Sequence, residues 1–286
     1  MMLKDRINRL FEEQLSGWEQ AKNNYQALEQ VKVKTLDVKG HRYIVQFNSM
    51  RFTSSAATHD CRTIGHRPCF LCGANRSGEQ RGIPFKDDYT ILVNPYPIFR
   101  RHFTIPSNTH VPQRIVPRFG DMLDLAQQMD DCVVFYNGPK SGASAPYHFH
   151  FQAGNKGFLP VENDRHWLNA IRFESADRQQ MSDRFEQIYH SLPVQADNDE
   201  PMMNIITWYA EGHWTTHVFP RKKHRPDCFW AEGDANMIIT PGAVDMGGVL
   251  ITPLEKDFVK ITAEMLAGVL DEVSDKVHAM KSFFNS

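Results

Sequence analysis

The sequence predicts an α+β fold of two tandem halves, with antiparallel sheets flanked by helices. Three observations carry that expectation. Apolar residues recur at steps of three and four near the start, the middle and the end of the chain, the mark of helices that bury one face. Between them lie short β-rich runs bounded by Gly, Pro or Asn. Finally, "IPSNTHVPQ" (105–113) and "FPRKKHRPD" (219–227) share the pattern Pro, three residues, His, one residue, Pro, each just after an expected strand, as duplicated units would.

Taken in order, Leu3, Ile7, Leu10, Phe11, Leu15 and Trp18 form a helical stripe at the N-terminus. "YIVQFN" (43–48), "YTILVN" (89–94) and "HFTIP" (102–106) read as antiparallel strands. Phe119, Met122, Leu125 and Met129 mark a helix face, followed by the strand "CVVFYNG" (132–138), the loop "GPKSGAS" (138–144) and a strand over 145–154. A helix is expected at 178–191 with Met181, Phe185, Ile188 and Tyr189 on one side. The polar stretch 194–201 places a boundary between an N-terminal half, 1–195, and a C-terminal half, 196–286. Beyond it, 203–209, 213–220, 237–240 and 248–252 read as strands, and a long helix runs from about 262 to 282 with Thr262 as its N-cap. "DMGGV" (245–249) suits close backbone packing.

A chain of 286 residues with 41% apolar and 23% charged residues buries a substantial core. Its net charge of -2 supplies no global field for nucleic acid or an acidic membrane. The charged start has no signal-like apolar core, and no apolar run reaches the roughly 20 residues of a membrane span, so a cytoplasmic location is expected. Five cysteines, Cys61, Cys69, Cys72, Cys132 and Cys228, do not make a disulfide framework, which leaves free or metal-bound thiols. No Gly-rich phosphate or dinucleotide loop is present, and no organic cofactor is expected.

The chemistry concentrates in "APYHFHFQAG" (145–154). In a strand His148, His150 and Gln152 share one face, while Phe149 and Phe151 pack on the other. A histidine whose far nitrogen is hydrogen-bonded to a carbonyl keeps a lone pair for attack on phosphorus. The preceding loop offers the Asn137 amide, the Ser141 and Ser144 hydroxyls, the Lys140 ammonium and backbone N–H groups to a phosphate oxyanion. Two histidines in one strand can also be ordinary core or surface residues, or can both bind a metal. What favours a phosphate site is the convergence of several polar groups on one face.

"YNGPKSGASAPYHFHFQ" resembles the active-site signature of the His-x-His-x-Gln branch of the histidine-triad superfamily, which includes galactose-1-phosphate uridylyltransferase, diadenosine tetraphosphate phosphorylase and the GDP-hexose phosphorylases. "VQFNSMRFTSS" (45–55), "LVNPYPIFRRHFTIPSNTHVPQRI" (92–115), "FPRKKHRP" and "ITPGAVDMGGVLITP" (239–253) extend the likeness over most of residues 40–260. The resemblance implies two tandem HIT-like halves and a nucleotidyltransferase or phosphorylase. Such an enzyme moves a nucleoside monophosphate from a sugar nucleotide or dinucleoside polyphosphate to phosphate or a sugar phosphate. The implied nucleophile is His150, with Gln152 on the phosphoryl oxygens and His148 in support. Asn48, Arg51, Asn137, Ser141 and Ser144 match positions expected to touch the nucleotide. Glutamine cannot deliver a proton to a leaving group as a third histidine does, which favours transfer over hydrolysis. The alternative function is a nucleotide-binding regulatory module without turnover; monomer and homodimer are both compatible with the resemblance.

Cys69-x-x-Cys72 is half of a zinc site, or simply two buried thiols. "CFLC" resembles the zinc-binding segment of the uridylyltransferases, which implies Cys69, Cys72, His110 and His148 as ligands of a structural zinc. The basic run Arg221, Lys222, Lys223, His224 and Arg225 reads either as a solvated turn or as a reach towards substrate phosphates.

Overall fold

The computed structural model describes residues 2–51 and 68–275. Within them, eight α-helices accompany an eight-stranded and a three-stranded sheet, an α+β fold as the sequence predicts. The strands are β1 (Lys32–Val38), β2 (His41–Phe47), β3 (Gly82–Phe85), β4 (Tyr89–Val93), β5 (His102–Pro106), β6 (Cys132–Asn137), β7 (His150–Asn155), β8 (Ile171–Ser175), β9 (Met203–Ala210), β10 (His213–Pro220) and β11 (Val249–Thr252). The helices are α1 (Leu3–Gly17), α2 (Glu19–Leu28), α3 (Phe119–Gln128), α4 (Arg178–Ser191), α5 (Asp227–Trp230), α6 (Ala243–Met246), α7 (Glu255–Lys260) and α8 (Ala263–Val273).

The large sheet is antiparallel throughout, in the order β3-β4-β5-β7-β6-β9-β10-β8. Period-two alternation gives it two buried faces. Val134, Tyr136, Phe149, Phe151 and Ile205 join α1, α3 and α4 in one core. Val133, Phe135, Ile206, Trp208 and Phe219 join the small sheet, α6 and α8 in the other. In the small sheet β2 pairs antiparallel with β1 and parallel with β11. β6 also pairs directly with β9, Asn137 opposite Asn204, so strands on both sides of the 194–201 connector are neighbours.

Most expected elements form; the strand expected over 145–154 begins only at His150, and two others differ more. The apolar run 237–240 is not a strand: Met237 and Ile239 are buried, but Met237 N–H donates to the Cys228 carbonyl and Ile238 N–H to Asp257 Oδ2, so loop partners take its hydrogen bonds. The last helix starts as expected, with Thr262 Oγ1 accepting from Met265 N–H at 3.2 Å. It stops at Val273, because Ser274 bridges to Arg221 and Asp275 N–H donates to the Pro220 carbonyl; residues 276–282 lie outside the described residues. α2, α5, α6, α7, β1, β3 and β8 are additional to the sequence expectation. At "DMGG" the close packing is real: a Cβ on Gly248, whose φ is +107°, would meet Pro160 and Trp167 at 2.9 Å.

Candidate active site

Expected alternation over His148, His150 and Gln152 holds for the last two only. β7 begins at His150, and His148 sits in the turn before it, its N–H donating to the Ala145 carbonyl. Phe149 and Phe151 are fully buried, with rings 4.8 Å apart edge to face. They anchor the segment from the side away from the polar groups.

His150 is buried, and its Nδ1 lies 2.9 Å from the His148 carbonyl oxygen. A carbonyl only accepts, so Nδ1 carries the proton and Nε2 the lone pair. That Nε2 is buried with no hydrogen-bond partner among the described residues. Burial, helped by the neighbouring His148 ring, holds its pKa down to about 4, so the imidazole is neutral near pH 7. The backbone around it is clamped by Gln113, whose Oε1 accepts from His150 N–H at 2.8 Å while its Nε2 donates to the carbonyls of His150 and Asn137 at 2.9 and 3.0 Å. Nothing in the sequence marks Gln113 beyond its place after the repeated His-x-Pro.

Gln152 shares the polar face. Its Oε1 lies 3.0 Å from Nε2 of His102 on β5, and His102 Nδ1 accepts from the Ile98 backbone N–H at 3.2 Å. Burial, with Arg51 nearby, pushes the His102 pKa down to about 3.

Asn137 ends β6 with its Oδ1 accepting from Asn204 Nδ2 at 2.7 Å and from Ala243 N–H at 2.8 Å. Asn204 Nδ2 also donates to the Ser141 carbonyl at 2.6 Å, and its Oδ1 accepts from Arg221 Nη1 at 2.5 Å. Arg221 is buried and donates further to the carbonyls of Pro241 and Val273. The basic run is therefore mixed: Arg221 braces the loop from inside, Lys223 pairs with Asp227 and Glu272, and His224 and Arg225 face the cavity described below. Gly142, with φ of +97°, passes the backbone of Gly242 so closely that a Cβ would sit 3.2 Å from it.

The other expected nucleotide contacts divide. Arg51, Asn137 and Ser144 line a common cavity with Gln152. Asn48 is buried and donates to the Pro97 carbonyl at 3.2 Å. Lys140 points elsewhere, donating to the Asp197 carbonyl at 2.9 Å. Ser141 Oγ is buried without a hydrogen-bond partner among the described residues.

Cys69, Cys72, His110 and His148 come together, their ligand atoms all within 4.8 Å of one another. Cys69 Sγ lies 3.3 Å and Cys72 Sγ 3.5 Å from His148 Nδ1, and Cys72 Sγ lies 3.2 Å from His110 Nδ1. A tetrahedral site with Zn–S of about 2.3 Å and Zn–N of about 2.0 Å has S···N edges of about 3.5 Å. The orientation fits too: His148 Nε2 donates to the Ser107 carbonyl at 2.8 Å, which leaves Nδ1 as the ligand nitrogen. These four residues could hold a metal ion.

Beside the cluster opens a cavity of about 840 Å³, lined by residues of both parts of the chain, Gln152, Asn137, Arg51, Asp245, His224 and Arg225 among them. Phe70, Tyr96 and Tyr147 add exposed aromatic surface to its wall. His148 reaches the cavity, whereas His150 is not among the residues that line it. No helix among the described residues is long and apolar enough to cross a membrane.

The fold has solved counterparts. Yeast Ap4A phosphorylase Apa2 in complex with Ap4A is 12% identical, with a TM-score of 0.62 over 96% of this chain and 98% of that one. The same enzyme in complex with AMP gives 13% identity and a TM-score of 0.57, over 91% and 96% of the two chains. At such identities the likeness is one of fold. No curated protein matches the sequence. A family model described as "Domain of unknown function (DUF4922)" matches residues 10–155, just over half of the chain.

Proposed function

The chain belongs to the family described as Domain of unknown function (DUF4922), and from its site we propose that it is a nucleotidyltransferase of the phosphorylase type that works through His150. The observation that carries this reading is the buried, neutral imidazole whose Nδ1–H is fixed on the His148 carbonyl and whose Nε2 has no partner among the described residues. Such an imidazole is a nucleophile waiting for an electrophile. Support comes from the carboxamides beside the cavity. Gln152 and Asn137 each have their oxygen occupied inside the protein, so N–H groups remain for phosphoryl oxygens.

In this reading the Nε2 lone pair forms a P–N bond to the α-phosphorus of a nucleotide, and the bond from phosphorus to the bridging oxygen breaks. That oxygen leaves with its electron pair on a phosphate-bearing group, a stable anion that needs no proton from the position Gln152 occupies. An acceptor phosphate oxygen then attacks the same phosphorus, and the P–N pair returns to Nε2. Because Nε2 is covered, substrate entry requires the layer over it to give way. The substrates are nucleotides with a further phosphate-bearing arm, either sugar nucleotides or dinucleoside polyphosphates. Ap4A phosphorylase, a fold relative, acts on the second kind.

Cys69, Cys72, His110 and His148 would hold a zinc ion whose part is structural, tying the segment after β5 to the turn before β7. Incubation with α-32P-labelled nucleotides, followed by isolation of the protein, tests the mechanism. An acid-labile label that is lost in His150→Ala is expected; no label with any nucleotide, or one that survives the substitution, refutes the reading. A phosphorolysis screen over GDP-, UDP- and ADP-sugars and diadenosine polyphosphates then identifies the substrate.

A further inference from the structure

Gln152 could in principle present either end of its carboxamide to a ligand, and the two ends recognise opposite chemistry. A chain of hydrogen bonds decides between them. Ile98 N–H points at Nδ1 of His102, 3.2 Å away, so that nitrogen must be the acceptor and Nε2 must carry the proton. Nε2–H then faces Gln152 Oε1 at 3.0 Å. Rotating the carboxamide by half a turn would set NH2 against N–H. Relieving that clash by moving the proton to Nδ1 would set Nδ1–H against the Ile98 N–H instead.

The ring itself has little freedom. His102 is fully buried, with Phe99 edge-on at 5.4 Å and Phe135 at 6.0 Å. Its backbone is held from α2, where Tyr25 Oη donates to the His102 carbonyl at 3.0 Å. Opposite Gln152 on β5 stands Thr104, whose Oγ1 accepts from Asn94 Nδ2, so that hydroxyl oxygen is engaged elsewhere.

We propose that His102 is a positioning residue: it sets the Gln152 carboxamide so that the cavity meets its two N–H donors and never its oxygen. The polarity originates in the backbone N–H of Ile98 and passes through one imidazole, which makes the site selective for an anionic oxygen. This rests on the functional reading above, since the ligand it selects is the phosphoryl group that His150 attacks. Burial and Arg51 both keep the ring neutral, the state in which one nitrogen accepts and the other donates.

Two measurements test the proposal. In the full-length protein labelled with 15N-histidine, His102 is expected to show the Nε2–H tautomer at pH 7; an Nδ1–H tautomer or a charged ring overturns it. The second is a double-mutant cycle on nucleotidyl transfer to inorganic phosphate with His102→Phe and Gln152→Ala. His102→Phe is expected to lower kcat on the order of tenfold to a hundredfold, with KM within about twofold, and to cost nothing further in the Gln152→Ala background. Multiplying losses, the mark of a merely structural role, or an unchanged kcat, overturn it. The tautomer measurement needs no substitution and no turnover. It therefore decides the proposal even if His102→Phe does not fold, and separately from a wild-type protein that transfers no nucleotide, a result that refutes the functional reading instead.

Discussion

The carbonyl oxygen of His148 accepts the Nδ1–H of His150 at 2.9 Å, while the ring of the same His148 stands 3.3 Å from the Cys69 thiol. One residue thus belongs to both the cysteine cluster and the hydrogen bond that fixes the His150 tautomer. Disturbing the cluster should therefore reach the chemistry. Metal analysis is expected to find close to one zinc per chain. Chelation, or Cys69→Ser, should lower the melting temperature by at least about 5 °C and the rate of His150 labelling by about tenfold or more. A metal-free protein with undiminished labelling contradicts this.

Gln113 behaves like an extra stretch of backbone between β6 and β7. Truncation in Gln113→Ala leaves His150 N–H and the carbonyls of His150 and Asn137 short of a partner in a buried place. A loss of about 2–4 kcal/mol in urea unfolding is expected, together with slower labelling of His150 in the protein that remains folded. A loss within about 0.5 kcal/mol, the range of an ordinary surface change, would show that the clamp contributes little.

Arg221 donates to Asn204 and to a set of carbonyls that a single ammonium cannot reach together. Arg221→Lys keeps the charge and loses the fork, so it should not act as a conservative change. We expect a destabilisation of about 2–4 kcal/mol by denaturant melts and weaker nucleotide binding, since Asn204 hands the constraint on to Asn137 and the Ser141 carbonyl. Full stability and affinity in Arg221→Lys would show that charge alone suffices.

His217 offers a test through pH. Both its ring nitrogens are buried without a hydrogen-bond partner among the described residues, and the ring stacks on Trp208 at 5.3 Å between centroids. Burial, with Arg172 nearby, lowers its pKa from 6.5 to about 3. Between those values the unfolded chain takes up a proton that the folded one refuses, so stability is lost as pH falls from 6.5 towards 3 and is level above 6.5. His217→Phe removes this contribution. The variant should match or exceed wild-type stability at pH 7 and gain about 2 kcal/mol on it by pH 5. Parallel stability curves from pH 7 to 5 would contradict it.

Periodicity made much of this architecture legible. β5, α4 and β10 form over the expected stretches because each carries a clear apolar face and a clean stop. The run 237–240 misled because its apolar side chains record burial, and burial does not say who takes the backbone hydrogen bonds. Near the site, His150, Gln152 and the Cys69-x-x-Cys72 pair could be found because their spacing is local, whereas His110 and His148 join the cysteines only through the family resemblance. Gln113, His102 and Arg221 could not: each acts on a residue at least 17 positions away, through partners that only the sheet order brings near. Arg221 in particular lies in a run of cations, where sequence suggests solvent and the fold supplies carbonyls.

The direct pairing of β6 with β9 has a practical consequence. A polypeptide that stopped at residue 195 would end the large sheet at β6, with the row of N–H and carbonyl groups that β9 normally covers laid bare beside the His150 strand. Such an open border invites other chains to add on. Produced alone, that fragment should self-associate, and co-expression with 196–286 should return it to solution. On this pairing the two segments are expected to be soluble only in each other's company.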